Sequence, residues 1–246
     1  MGRVQLRFLG SGDAFGSGGR FQTCMLVESD RTRFLIDCGA SSLVAMRRFG
    51  VDPMAIDAVV LSHLHGDHFA GVPFLVLDGQ FRRRTRPLVV AGPPGVEARV
   101  TEAMEALFPG SSGVARRFAT EFVELREREP AALDGFTVTP YVVVHPSGAP
   151  PLALRVACEG RVIAYSGDTE WTDVLLEAAD GADLFVCEAL FLDKPIKYHL
   201  TWRAIAEQRS RLRCGRLILT HMGEDMLARV ADLDVEWAED GKTVVL

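Results

Sequence analysis

No run of 18 apolar residues occurs in the sequence, which excludes a membrane-spanning helix. The opening residues, Met1-Gly2-Arg3-Val4-Gln5-Leu6-Arg7, hold no apolar signal core. Cysteine is sparse and dispersed: Cys24, Cys38, Cys158, Cys187 and Cys214 form no CxxC pair. An odd, scattered set excludes a disulfide framework and implies free thiols in a reducing compartment, hence a cytoplasmic location. A basic surplus is missing too. The net charge of -6 argues against a surface generally coated by nucleic acid, while leaving room for a local basic patch. Linkers, repeats and low-complexity segments are absent, so residues 1–246 are expected to form one domain. At 48% hydrophobic and 24% charged, that domain reads as ordinary and globular.

Histidine is also scarce, and its placement is informative. Three of the six fall in Ser62-His63-Leu64-His65-Gly66-Asp67-His68; the others are His145, His199 and His221. Neutral imidazole is the commonest metal ligand. Hydrophobic patterning predicts strands at Val4–Leu9, Thr23–Glu28, Arg33–Asp37, Ile56–Leu61, Pro87–Ala91, Phe122–Leu125, Phe136–Pro140, Tyr141–Val144, Leu152–Ala157, Arg161–Tyr165, Leu184–Glu188 and Arg216–Thr220. It predicts helices at Ser41–Phe49, Val96–Leu107, Thr172–Ala179 and Thr201–Arg209. Ser29-Asp30-Arg31 and Cys158-Glu159-Gly160 read as hairpin turns, and Glu236–Leu246 as a hairpin turning at Asp240-Gly241. Buried strands therefore end in a metal-competent residue four times, at His63, His145, Asp168 and His221, where a rigid sheet can hold converging ligands. Two mixed sheets covered by helices fit this order.

Four donors within six residues suit two metal ions better than one. His63 and His65 would face one ion, Asp67 and His68 the other; His145 would complete the first and His221 the second, with Asp168 as bridging carboxylate. Two cations roughly 3.5–4 Å apart can share a bridging hydroxide. Imidazole and carboxylate without thiolate suit zinc, with manganese, iron or cobalt as alternatives.

His63-x-His65-x-Asp67-His68 followed by His145, Asp168 and His221 resembles the metallo-β-lactamase superfamily over nearly the whole chain. The resemblance implies an α/β fold, an αβ/βα sandwich of two mixed β-sheets flanked by helices, with two divalent metals at its rim. Phe8-Leu9-Gly10-Ser11-Gly12, Phe34-Leu35-Ile36-Asp37-Cys38-Gly39, and the histidine motif followed by Gly71-Val72-Pro73 are most similar to the ribonuclease Z branch. That branch has a catalytic histidine after the aspartate, a role that His199 in His199-Leu200-Thr201 matches. Its tRNA-processing members insert a long tRNA-clamping arm before the bridging aspartate; here 22 residues separate His145 from Asp168, room for a hairpin only. Small phosphodiesterases such as phosphoribosyl cyclic phosphodiesterase lack the arm. Some carry a structural zinc on N-terminal cysteines, which Cys24 alone cannot supply. The resemblance implies a dinuclear hydrolase of a small phosphodiester or an RNA 3′ end. Asp67 would orient the hydroxide and take its proton, and His199 would donate to a phosphoryl oxygen or the leaving alkoxide.

Each of these residues has a plainer reading. The histidine motif could be a polar loop, Asp168 a turn or helix cap, His145 and His221 structural histidines, His199 a capping or surface residue. Arg82-Arg83-Arg84-Thr85-Arg86 could contact phosphates or be a solvated loop, and Arg209–Arg213 the exposed end of a helix. Cys38 reads as a small buried side chain, and Ser11 and Asp13 as borders of the pocket. Rival functions are hydrolysis of a carboxylic ester, thioester or lactam on the same metals, and a non-catalytic metal-binding module. A di-iron redox protein is a further rival, against which His65 speaks because those relatives carry glutamate there. Dimers being the common default, a homodimer is an open possibility.

Overall fold

The strands alternate, and the two faces of each sheet pack into different cores. In the computed structural model, which describes residues 2–246, Met25 and Val27 point into one apolar cluster while Cys24 and Leu26 point into another; Phe34 and Ile36 part from Leu35 in the same way. This period of two is the mark of strands buried on both faces. In chain order the elements are β1 (Gln5–Gly10), β2 (Cys24–Glu28), β3 (Arg33–Ile36), α1 (Ser42–Arg48), β4 (Ala58–Val60), α2 (Gly66–Phe69), α3 (Gly71–Phe81), β5 (Leu88–Gly92), α4 (Val96–Leu107) and β6 (Thr120–Glu124). They continue with β7 (Ala131–Leu133), β8 (Phe136–Val142), β9 (Leu152–Cys158), β10 (Arg161–Tyr165), α5 (Val174–Ala179), β11 (Leu184–Glu188), α6 (Trp202–Gln208), β12 (Arg216–Thr220), α7 (Glu224–Leu227), β13 (Glu236–Trp237) and β14 (Thr243–Val245).

Two seven-stranded sheets result, ordered β14-β1-β2-β3-β4-β5-β6 and β13-β12-β11-β10-β9-β8-β7. Both are mixed: β3 to β6 and β10 to β13 run parallel, and the remaining pairs are antiparallel. The sheets pack face to face through Phe8, Phe34, Val60, Phe136, Val156, Tyr165 and Ile218. The helices of each half cover its outer face, α1, α3 and α4 on the first sheet and α5, α6 and α7 on the second. This is the expected αβ/βα sandwich.

The departures have physical causes. Helix α3 lies where no element was expected; its glycines weaken the local signal, but Val72, Leu75 and Val76 bury against the first sheet, and Pro73 sits in the first turn, where a missing N–H costs nothing. The two strands expected at Phe136–Pro140 and Tyr141–Val144 are one, β8. Pro140 interrupts nothing, because β7 pairs only with Phe136 to Val138, and at residue 140 that side of the strand is asked only for a carbonyl, which accepts the Arg128 N–H. Strand β7 itself is too short to register in sequence. The expected C-terminal hairpin does not form: β13 pairs parallel with β12, whereas β14 crosses to the other sheet and pairs antiparallel with β1. The chain does turn at Asp240-Gly241, where the Lys242 N–H donates to the Glu239 carbonyl, but the Asp240 carboxylate bonds the distant Ser11 N–H and hydroxyl and the Phe21 N–H and so serves the first loop.

Phe34 and Phe136 stack across the sheet interface with centroids 3.7 Å apart and planes 10° from parallel. Phe34→Ala should cost about 3–5 kcal/mol. Calorimetry should record this as a fall in Tm of roughly 6–20 °C for a chain of this size.

Candidate metal centre

The parallel strands of both sheets end at one rim, and the polar residues that follow them meet there. Asp37 follows β3, Ser62 and His63 follow β4, His145 lies three residues past β8, Asp168 three past β10, Glu188 closes β11 and His221 follows β12. Crevices beyond the carboxyl ends of parallel strands are the usual place for ligands in α/β sheets. The spacing of the histidine motif follows from its backbone. Residues 61–65 are not helical, so His63 and His65 project on the same side; the chain then coils into α2, which swings Asp67 and His68 round. The close approach needs Gly39: a Cβ there would lie 2.2 Å from the Asp67 carbonyl oxygen.

All six histidines converge. His63, His65 and His145 form one group of donors, and Asp67, His68, Asp168 and His221 a second, the donor atoms of each lying within 4.8 Å of one another. In the first, His145 Nε2 is 3.0 Å from His65 Nδ1. In the second, Asp67 Oδ2 is 3.1 Å from His68 Nε2 and 3.2 Å from His221 Nε2, and Asp168 Oδ2 is 3.4 and 3.5 Å from the same nitrogens. Asp168 Oδ2 also lies 3.9 Å from His63 Nε2, between the two groups.

The far ring nitrogens are tied down, which sets what the near ones offer. His68 Nδ1 donates to Asp37 Oδ2 at 2.7 Å. His63 Nδ1 donates to Ser62 Oγ at 3.1 Å, and Ser62 Oγ passes its own proton to Asp37 Oδ2 at 2.8 Å. His145 Nδ1 donates to the Tyr198 carbonyl at 2.9 Å. Partners of this kind fix tautomer and ring orientation and leave the opposite nitrogen as a lone pair. Three backbone positions at the site are strained: Asp37, Tyr198 and His221 have φ of 58°, 70° and 56°, in the left-handed region.

Glu188 and Asp37 carry functional work that sequence reasoning did not assign. The fully buried Glu188 accepts the Thr169 N–H on Oε1, and on Oε2 the His199 Nδ1 proton at 3.0 Å. Each acid closes an apolar run, Phe34-Leu35-Ile36-Asp37 and Leu184-Phe185-Val186-Cys187-Glu188; a carboxylate ending a buried strand was the available signal. His199 stands apart from both donor groups, although Asp168, Glu188, His199 and His221 make a third possible set.

The donors suit divalent cations. His63 Nε2 and Asp168 Oδ1 are buried without a hydrogen-bond partner among the described residues, and His68 Nε2 has oxygens nearby only in poor directions. Burial lowers the His63 and His145 pKa values, which favours neutral imidazole. Burial would lower His221 as well, but the carboxylates of Asp168 and Asp67 prevail and raise it to about 9. Such a pocket of converging carboxylates is one that holds positive charge.

The other expectations divide. Asp13 borders the cleft, and the Ser11 carbonyl accepts the His221 N–H. Cys38 is buried, its thiol pushed up to about 12 chiefly by burial, which makes it a small apolar side chain and no nucleophile. The arginine run neither lines the cleft nor forms a purely solvated loop. Arg84 is buried and donates to the Ile56, Pro87 and Met54 carbonyls, while Arg82 pairs with Asp52 and Arg86 with Asp57, before β4 and β5 and so at the opposite end of the strands from the histidines. Arg211 and Arg213 are exposed and pair with Asp173 and Asp180.

This fold with this cluster defines a metallo-hydrolase of the α/β-sandwich class. The family model described as "Beta-lactamase superfamily domain" matches residues 32–222, and the chain belongs to that superfamily. Among curated proteins it is similar to a ribonuclease Z of Agathobacter rectalis, 25% identical over 92% of this chain and 93% of that one. It is similar also to a ribonuclease Z of Mycobacterium bovis, 28% identical over 89% and 85%. Solved structures with the same fold include the metallo-beta-lactamase fold protein YhfI of Bacillus subtilis, with a TM-score of 0.82 and 19% identity over 100% of both chains. The short form of human tRNase Z follows at 0.79 and 23% over 98% of both, and a diphosphatase of the PhnP family at 0.79 and 22% over 98% and 97%. Among the described residues no helix is long and apolar enough to cross a membrane.

Asp37→Asn keeps a residue that tolerates the left-handed backbone but removes the carboxylate behind His63 and His68. It should weaken metal binding roughly 10- to 100-fold, read by competition with a chromophoric chelator.

Proposed function

We propose that the chain is a two-metal phosphodiesterase for a nucleotide-like ester or the 3′ end of an RNA. The observation that carries this reading is His199, which stands at the metal cleft outside both donor groups, its ring held by Glu188. The ribonuclease Z relatives and the PhnP-family diphosphatase support it. His63, His65 and His145 would hold one ion and Asp67, His68 and His221 the other, with Asp168 between them; zinc suits these ligands, manganese or iron being alternatives. When bound, two such ions supply positive charge for the phosphoryl oxygens and lower the pKa of a water.

The chain's own groups do the rest. Burial pushes the Asp67 carboxyl up, but His68 and His221 outweigh it and hold the group well below the ordinary carboxylate range. Held as a carboxylate, it orients the attacking water by accepting a hydrogen bond from it. Glu188 fixes the His199 ring and, with burial opposing, favours its protonated form, so His199 donates to a phosphoryl oxygen or to the departing alkoxide. The segment between His145 and Asp168 consists of the β9–β10 hairpin and its flanking turns. That favours a small diester or a nucleic-acid end over a substrate gripped by a long arm. Free, mostly buried cysteines are in keeping with a cytoplasmic location, and the core shared by both sheets with a single hydrolase domain over residues 1–246. A homodimer belongs to the same reading.

The test is hydrolysis of bis(p-nitrophenyl) phosphate by zinc- or manganese-loaded protein, with His199→Ala beside the parent. His199→Ala should keep its metal content by atomic emission and lose about 10²- to 10⁴-fold in kcat. A parent that binds two metals and cleaves no phosphodiester would overturn the reading, as would full activity in the variant.

A further inference from the structure

Phe15 is the most exposed large apolar side chain described, at 93%, and it lies on the lip of the cleft. One exposed apolar residue needs no explanation by itself. Three features set this one apart. Its loop is built, not loose: the buried Asp13 carboxylate accepts the N–H groups of Phe15 and Ser17 and the Ser17 hydroxyl, and Gln22 Nε2 donates to the Ala14 carbonyl. Gly16, at φ 70°, supplies the left-handed bend that follows Phe15. The loop is also anchored to the metal-side backbone, because the Ser11 carbonyl accepts the His221 N–H and Gly12 bridges both Gln22 and Met222. Thirdly, Ala14, Phe15 and Leu190 make an apolar wall on a cleft otherwise lined by histidines and carboxylates.

We propose that Phe15 is a stacking platform for the nucleobase adjoining the phosphate, which makes nucleotidyl esters the substrate class of this site. The proposal rests on the phosphodiesterase reading above. The cleft holds about 220 Å³, less than the roughly 300–1,000 Å³ of sites that enclose a whole ligand. It therefore takes the phosphoryl group and leaves the flanking residue to lie across the lip. A face of an aromatic ring, carried on a braced loop and already free of cover, receives any base with little rearrangement of the protein and little sequence preference. It acts as a specificity residue that touches substrate and moves no proton.

The base is isolated by comparing adenosine 5′-monophosphate with ribose 5-phosphate, which lacks it, in calorimetric titrations of the metal-loaded protein. The nucleotide should bind the parent roughly 5- to 150-fold more tightly. That ratio should collapse in Phe15→Ala and persist in Phe15→Trp. Equal affinities in the parent, or a ratio unchanged in Phe15→Ala, would overturn the proposal. Loss of a dimer in Phe15→Ala with the ratio intact would do so too, assigning the ring to a contact between copies. Bis(p-nitrophenyl) phosphate turnover by the same parent sample separates the two readings. Turnover with no base preference sinks the platform alone, whereas absence of turnover sinks the phosphodiesterase and the platform with it.

Discussion

A carboxylate with no access to water organises this rim. Asp37 is completely buried, and a lone charge there would cost several kcal/mol. It is tolerable because it accepts the Ser62 N–H at 2.7 Å, the Ser62 hydroxyl and the His68 ring proton. Those bonds join the end of β3 to the start of the histidine motif and aim His63 and His68 into the cleft. The strained backbone of Asp37 is one cost of placing the group there. The donor geometry downstream, from Asp168 between the two groups to the paired His65 and His145, presupposes that fixed corner.

The second sheet contributes the mirror of this arrangement. Glu188, also fully buried, bonds the Thr169 N–H beside Asp168 and the ring of His199. Each sheet thus carries a buried acid at the end of a parallel strand: Asp37 holds His63 and His68 toward Asp168 of the other sheet, and Glu188 holds His199 beside Asp168 and His221 of its own. Rigid strands hold the ligands, and loops contribute where variation is tolerable, above all the segment from Ser11 to Gln22 that walls the cleft.

Much of this could be read from the residues. Alternation placed most strands, since strands buried on both faces leave apolar runs bounded by turns, and the rationed histidines marked the centre. The missed parts share a reason: their signals are tertiary. Helix α3 is legible only as a surface that covers the first sheet, and β7 only through its partner β8. Asp37 and Glu188 sit in strands as unremarkable acids until the fold shows which rings they touch. Arg82–Arg86 is dense in charge, yet Arg84 turns inward to satisfy carbonyls, which composition cannot reveal. The tail misled because Asp-Gly favours a hairpin locally, while pairing of β14 with β1 buries Val244 against the core.

That crossing of β14 has a temporal meaning. On a ribosome the histidine motif emerges early, but β1 lacks its outer neighbour and the first loop lacks Asp240 until more than two hundred further residues have been made. Such long-range closure is slow compared with local contacts. The wall of the cleft consequently assembles after the histidine motif, so a chain made only as far as that motif presents metal-binding side chains without a finished cleft. A finished cleft in this protein waits on the residues from Asp240 to Val245 and is not built up gradually along the chain.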